Sequence, residues 1–171
     1  MKKLLAILLL FSIFSCVNKQ SNPENNQEST TYYLIRHAEK DKSDPENRNP
    51  KLIKKGLKRA KKWKNHFKNV DLDAVYSTNY NRTIETATPT AVDKNLEIKS
   101  YNPQTLDIKV FLEKTKGQHV LIVGHSNTTP AFVNKIIEED KYQSIDETIN
   151  SNLYVVTIID GEIKHELKSV D

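Results

Sequence analysis

His119-Val120-Leu121-Ile122-Val123 is the strongest buried-strand signal in the chain, and it runs straight into Gly124-His125-Ser126-Asn127-Thr128. A short apolar run closed by a glycine suits a strand covered on both faces, as in a parallel sheet. Upstream, Tyr32-Tyr33-Leu34-Ile35, Asp73-Ala74-Val75-Tyr76-Ser77 and Leu96-Glu97-Ile98 read as three more strands. Helical spacing lies between them. Ile53, Leu57, Ala60, Trp63 and Phe67 form one apolar stripe over 52–68, with residues 38–51 as a loop before it. Residues 80–92 set Ile84, Ala87 and Ala91 on one face, a pattern that Pro89 interrupts. Further helices are expected over 106–115 and over 129–138, where Pro130 fits a first turn. Leu153–Ile159 and Ile163–Leu167 flank Asp160-Gly161, a hairpin signal. Together these predict an α/β domain over 32–171. It is a three-layer α/β/α arrangement with a mainly parallel central sheet and a C-terminal antiparallel hairpin at the edge. In such sheets, ligands collect at the carboxyl ends of the strands.

The 171 residues are 37% hydrophobic and 28% charged, enough to bury one core. The first residues read differently. Lys2 and Lys3 precede the apolar run Leu4 to Phe14. As a helix that run would measure about 17 Å against roughly 30 Å of bilayer hydrocarbon, so it reads as a signal peptide, 1–15, rather than a span. Ile13-Phe14-Ser15-Cys16 resembles the lipobox of bacterial lipoproteins, Phe14 being bulky for its place. The resemblance implies cleavage before Cys16, lipidation there, and a place in the bacterial cell envelope on the periplasmic or extracellular face. Cys16 is the only cysteine and cannot form an internal disulfide. Residues 17–31 are polar and read, with Cys16, as a flexible tether with a reach of roughly 20 Å. Loss of Lys2 and Lys3 takes the net charge from +4 to +2, a balance that does not indicate nucleic-acid binding.

Three strand ends carry chemistry. The first enters Arg36-His37-Ala38-Glu39-Lys40, and the second Tyr76-Ser77-Thr78, with Arg82 following in Arg82-Thr83-Ile84-Glu85-Thr86-Ala87. The third is Gly124-His125-Ser126-Asn127. Two arginines and two histidines would converge on one edge of the sheet. Arginine offers planar bidentate donors to phosphate, and a neutral imidazole is a nucleophile near pH 7. The other ring nitrogen needs an acceptor, and a backbone carbonyl would serve. Backbone amides at 126–128, opening a helix, add partial positive charge.

These motifs, in this order, resemble the histidine phosphatase superfamily, the phosphoglycerate-mutase-like proteins, over residues 32–167. The resemblance implies a phosphohistidine intermediate, with no metal and no cofactor. It makes His37 the nucleophile and Arg36, Arg82 and His125 the phosphate pocket, with Asn127 beside them. Position 38, usually Gly in the family, is Ala here.

Hydrolysis of a phosphomonoester usually requires a proton for the leaving oxygen. Asp107, between Arg82 and His125 in sequence, is the best-placed carboxylate, but it equally suits a helix N-terminus. Glu39 and Glu85 are alternatives, and Glu39 could instead orient Arg36 or Arg82. His66, His119 and His165 fall within helix or strand patterns and read as structural. Lys54, Lys55, Lys58, Arg59, Lys61, Lys62, Lys64 and Lys68 crowd the first helix opposite its apolar stripe. They read as a solvated face, with contact to anionic lipid as the lesser alternative. The expected function is a metal-independent phosphatase acting on small phosphomonoesters. The alternatives are a phosphohistidine-protein phosphatase and a non-catalytic lipoprotein that binds a phosphorylated ligand.

Overall fold

A computed structural model describes residues 29–170. The expected signal peptide, Cys16 and most of the tether lie outside the described residues. The domain begins earlier than expected: β1 spans Ser29–Arg36, so Ser29, Thr30 and Thr31 belong to the sheet rather than to a tether. Burial of both threonines explains this. Thr30 is buried, and its hydroxyl accepts from the Gly117 amide, so the polar stretch still has somewhere to pack.

The sheet has six strands in the order β3-β2-β4-β1-β5-β6. The remaining strands are β2 (Ala74–Ser77), β3 (Ile98–Ser100), β4 (His119–Gly124), β5 (Asn152–Ile159) and β6 (Glu162–Ser169). β3, β2, β4 and β1 run parallel, while β5 and β6 are antiparallel. The hairpin turn falls at Asp160-Gly161, both at positive φ (52° and 84°), the backbone that a two-residue turn matching strand twist requires.

Strand alternation divides the core. Tyr32 and Leu34 of β1 and Val120 and Ile122 of β4 face a cluster with Phe111, Phe132 and Ile136. These last come from α3 (Ile108–Lys114) and α4 (Thr128–Ile137). Ile35, Leu121 and Val123 face the other way, against Trp63, Phe67, Ala87 and Ala91. That layer is α1 (Lys54–His66) and α2 (Asn81–Asp93). The result is the expected α/β/α sandwich.

Four local expectations are corrected. Ile53 and Leu57 do not join the α1 stripe: they are 41% and 47% exposed. Gly56 takes their place, because the first turn of α1 lies directly on the Glu39 backbone. A Cβ at Gly56 would fall 2.2 Å from the Glu39 carbonyl oxygen. Pro89 does not interrupt α2; the helix continues through it. One i→i−4 bond is forgone there, while Thr83, Thr86, Ala87, Thr90 and Ala91 remain buried on the packed face. β3 starts at Ile98, not Leu96. Asn95, at φ 54°, ends α2 in a left-handed residue, and the Leu96 amide bonds back to the Ala91 carbonyl. The strand can begin only after that cap. α3 starts at Ile108 rather than 106, for a reason that belongs to Asp107 below.

Candidate active site

The parallel register brings the three motifs to one level. Arg36 of β1 pairs with Gly124 of β4, and Val123 of β4 with Ser77 of β2. The next residues along, His37, His125 and Thr78, therefore leave the sheet side by side. The His37 amide donates to the Gly124 carbonyl, and the His37 and His125 rings lie 5.5 Å apart. They open onto a cavity of about 750 Å³ whose lining includes Lys40, Arg82, Tyr101, Gln104, Asn127 and Glu147.

His37 is buried, and its Nδ1 lies 2.7 Å from the carbonyl oxygen of Ala38. A carbonyl only accepts, so Nδ1 carries the proton and the Nε2 lone pair is left for chemistry. Burial pulls the His37 pKa from 6.5 to about 3; the Ala38 bond opposes this, while Arg36, His125 and Arg82 add to it. The ring is neutral at pH 7. Ala38 is fully buried, with its amide donating to the Thr86 hydroxyl. The Asn150 amide donates to the His37 carbonyl, so both ends of this residue are fixed.

His125 closes a relay. Its Nε2 lies 2.9 Å from the Thr78 hydroxyl, which donates onward to Thr83, and Thr83 donates to the Thr78 and Tyr80 carbonyls. Thr78 therefore accepts from Nε2–H, and Nδ1 receives Nη2–H of Arg82 at 3.4 Å. Burial first, then Arg82, Lys40 and Arg36, hold the His125 pKa at about 4. A bound phosphate would add negative charge there, raise that value, and turn Nδ1 into a donor. Arg82 is also stacked on Tyr80, 4.4 Å from the ring centroid.

Gly124 makes the corner possible. A Cβ there would lie 2.8 Å from the Thr129 hydroxyl and 2.9 Å from the Tyr101 hydroxyl, so the start of α4 can approach only a glycine.

Arg36 is held from a segment that the sequence did not flag. Its Nη1 donates to the Asp146 and Ile149 carbonyls, and its Nη2 contacts a Glu147 carboxylate oxygen at 2.7 Å. The other Glu147 oxygen accepts from the Ser126 hydroxyl. Burial opposes ionisation of Glu147. The Ser126 bond and Arg36 outweigh it, and the carboxyl lies below its ordinary range. Among the described residues, Nε of Arg36 and Nε of Arg82 are buried donors without a partner. Two unfilled guanidinium donors beside a neutral histidine suit an oxyanion with several oxygens.

The proton-donor candidates fall elsewhere. Asp107 is the N-cap of α3, with its carboxylate accepting from the Lys109 and Val110 amides, and it does not line the cavity. Glu39 pairs with Arg59 and Lys55, so it orients neither Arg36 nor Arg82. Glu85 accepts from the Leu52 amide. Among the described residues, Glu147 is the carboxylate that lines the cavity. Asn127 lines it too, as does Lys40, whose pKa burial and then Arg82 lower. His66 packs against Trp63 and Phe67, His119 against Tyr33, and His165 against Tyr142. Glu147 and Asn150 were missed because they lie in a polar loop without periodicity. The one clue was Ile145, an isolated apolar residue that is buried, with its amide bonded to the Ser126 carbonyl.

Residues 32–102 match the histidine phosphatase superfamily, branch 1, as a sequence family. No curated protein sequence matches the chain. Among solved structures, a mutant phosphoserine phosphatase from Entamoeba histolytica in complex with phosphoserine superposes with a TM-score of 0.65 at 14% identity. The match covers 83% of this chain and 98% of that one. The protein histidine phosphatase SixA complexed with tungstate gives 0.63 at 15%, covering 81% and 96%. A phosphoglycerate mutase from Bacillus anthracis gives 0.61 at 15%, covering 84% and 93%. The chain thus shares the fold of these phosphatases and of the mutase, and the stretch that matches the branch 1 family holds Arg36, His37 and Arg82.

Proposed function

We propose that the protein is a metal-independent phosphatase that hydrolyses small phosphomonoesters through a phosphohistidine on His37. The observation that carries this is the fixed tautomer. Nδ1 is committed to the Ala38 carbonyl, which leaves Nε2 for attack, and His37 lines the cavity with Arg82 and His125, while Arg36, next to it in the chain, keeps an unfilled Nε donor outside that lining. In the first step Nε2 attacks phosphorus, the P–O bond to the leaving oxygen breaks, and that oxygen takes a proton from solvent in the cavity and departs as the alcohol. In the second step water attacks the phosphohistidine, releasing inorganic phosphate and restoring neutral His37. Arg36, Arg82 and a protonated His125 would balance charge on the equatorial oxygens. The phosphoserine held by the Entamoeba neighbour supports a small substrate. The likeness to SixA keeps a phosphohistidine-protein substrate as the second reading. Lipidation at Cys16 and a place at the cell envelope remain part of the proposal, supported by the sequence of residues 1–16.

The test is hydrolysis of p-nitrophenyl phosphate in EDTA by residues 29–171 and by His37→Ala. Activity in the first and none in the second is expected, with an acid-labile, alkali-stable phosphoenzyme trapped on rapid quench. Phosphate binding without turnover in the unmodified protein would leave only a binding module. A requirement for added metal would overturn the mechanism.

A further inference from the structure

The feature the site does not use is the outer face of α1. Residues 54–68 hold eight Lys or Arg and no acidic side chain, so the rest of the chain is net −4 against a total of +4. Lys54, Lys58, Lys61 and Lys62 stand at i, i+4, i+7 and i+8, one stripe of the helix, and all are exposed. The structure separates these lysines from their neighbours. Lys55 and Arg59 pair with Glu39, and Lys64 with Asp93. No acidic partner reaches Lys54, Lys58, Lys61, Lys62 or Lys68 among the described residues. Leu57, 47% exposed, borders this stripe, and Ile53, 41% exposed, is the N-cap residue just before it.

We infer that this face of α1 docks on an anionic bilayer surface. The lysines supply a delocalised positive field, and Leu57 and Ile53 offer apolar side chains to the headgroup–acyl boundary. A nucleic acid fits less well. The one arginine of the run is engaged by Glu39, and two exposed aliphatic side chains have no role on a phosphate backbone. Position agrees with a membrane as well. Phe67, just beyond α1, packs on Tyr33 of β1, the strand whose first residue, Ser29, follows the expected anchor Cys16 by thirteen positions. No helix among the described residues is long and apolar enough to cross a bilayer, so the contact is peripheral.

Both apolar clusters are built from residues 32–170, so a chain starting at Ser29 carries the whole fold. The experiment mixes residues 29–171, which lack Cys16, with vesicles of phosphatidylcholine alone or with about 30 mol % phosphatidylglycerol, and measures co-sedimentation. Binding to the anionic vesicles only is expected, and it should be lost at about 1 M salt, where the Debye length shrinks to about 3 Å. Lys54→Glu/Lys58→Glu/Lys61→Glu/Lys62→Glu should weaken partitioning by roughly a hundredfold or more, with phosphatase activity on a soluble substrate unchanged. Leu57→Gln, a milder variant, should weaken it severalfold. Equal binding to both vesicle types, full binding by the charge-reversed variant, or no binding at all would overturn the proposal. So would binding to duplex DNA at salt concentrations that abolish vesicle binding. None of these results bears on whether His37 is catalytic.

Discussion

Two histidines titrate far from the ordinary range because they are buried among cations, and the sign of the effect is fixed. The folded pKa values, about 3 for His37 and about 4 for His125, lie below the unfolded value of 6.5. Between about pH 4 and 6.5 the unfolded chain therefore binds protons that the folded chain refuses. Stability is present in full above 6.5 and is lost as pH falls toward 4. The urea midpoint should be lower at pH 5 than at pH 7, and the two ring Cε1–H resonances should stay flat in an NMR titration down to about pH 5. A midpoint near 6.5 for either ring would refute the burial argument. Glu147 gives a second prediction at this scale. It neutralises Arg36, yet two backbone carbonyls also hold that guanidinium, so Glu147→Gln should leave Arg36 in place. Calorimetry should show inorganic phosphate binding about two- to fivefold more tightly in the variant, the range of an exposed ion pair. Weaker binding would instead make Glu147 the residue that positions Arg36. The nearness of His37 to His125 was legible in sequence because each comes directly after a strand signal, with Arg36 closing the first strand and Arg82 one helical turn beyond the second. Glu147 was not, since backbone carbonyls of an aperiodic loop deliver it, and no side-chain pattern encodes those contacts.

Element ends decide where the chemistry sits. β1, β2 and β4 are central strands with apolar residues toward both layers, so period and composition declared them. β3 is an exposed edge of three residues, and its start is set by the α2 cap rather than by its own sequence. α1 misled because Ile53 and Leu57 continue a helical stripe that the Glu39 backbone, lying on Gly56, prevents from closing. Asp107 shows the same competition between local and site roles. Its carboxylate holds two amides of α3, so Asp107→Ala should cost about 1 kcal/mol of stability, as other lost caps do. Its kcat should not change, which separates a cap from a proton donor. Gly124→Ala acts at the junction of β4 and α4. The added methyl meets two hydroxyls below 3.0 Å, so roughly 1–3 kcal/mol of overpacking is expected, read from denaturant unfolding. Because the displaced corner carries His125, kcat/KM should fall in parallel, whereas Asp107→Ala loses stability alone.

At the scale of the molecule, positive charge gathers in two places that the fold keeps apart. One is the cluster of Arg36, Arg82 and Lys40 around the histidines, and the other is the solvent face of α1. Any oxyanion has both available, so ligand-linked stability must tell them apart. A ligand that binds only the folded state adds about 2.7 kcal/mol at one hundred times its Kd, which for a domain of this size is roughly 10 °C in Tm. Tungstate or inorganic phosphate should raise Tm by that order, with the dependence on concentration of a single site. Arg82→Ala removes a buried donor that faces the cavity, and the rise should shrink to a degree or two. His37→Ala removes the proposed nucleophile but neither guanidinium, so most of the rise should survive while turnover disappears. The charge-reversed α1 variant should show the full rise. Were that variant to lose it and Arg82→Ala to keep it, the oxyanion would be sitting on the helix face. The unfilled Arg36 and Arg82 donors would then have lost their assignment to phosphate.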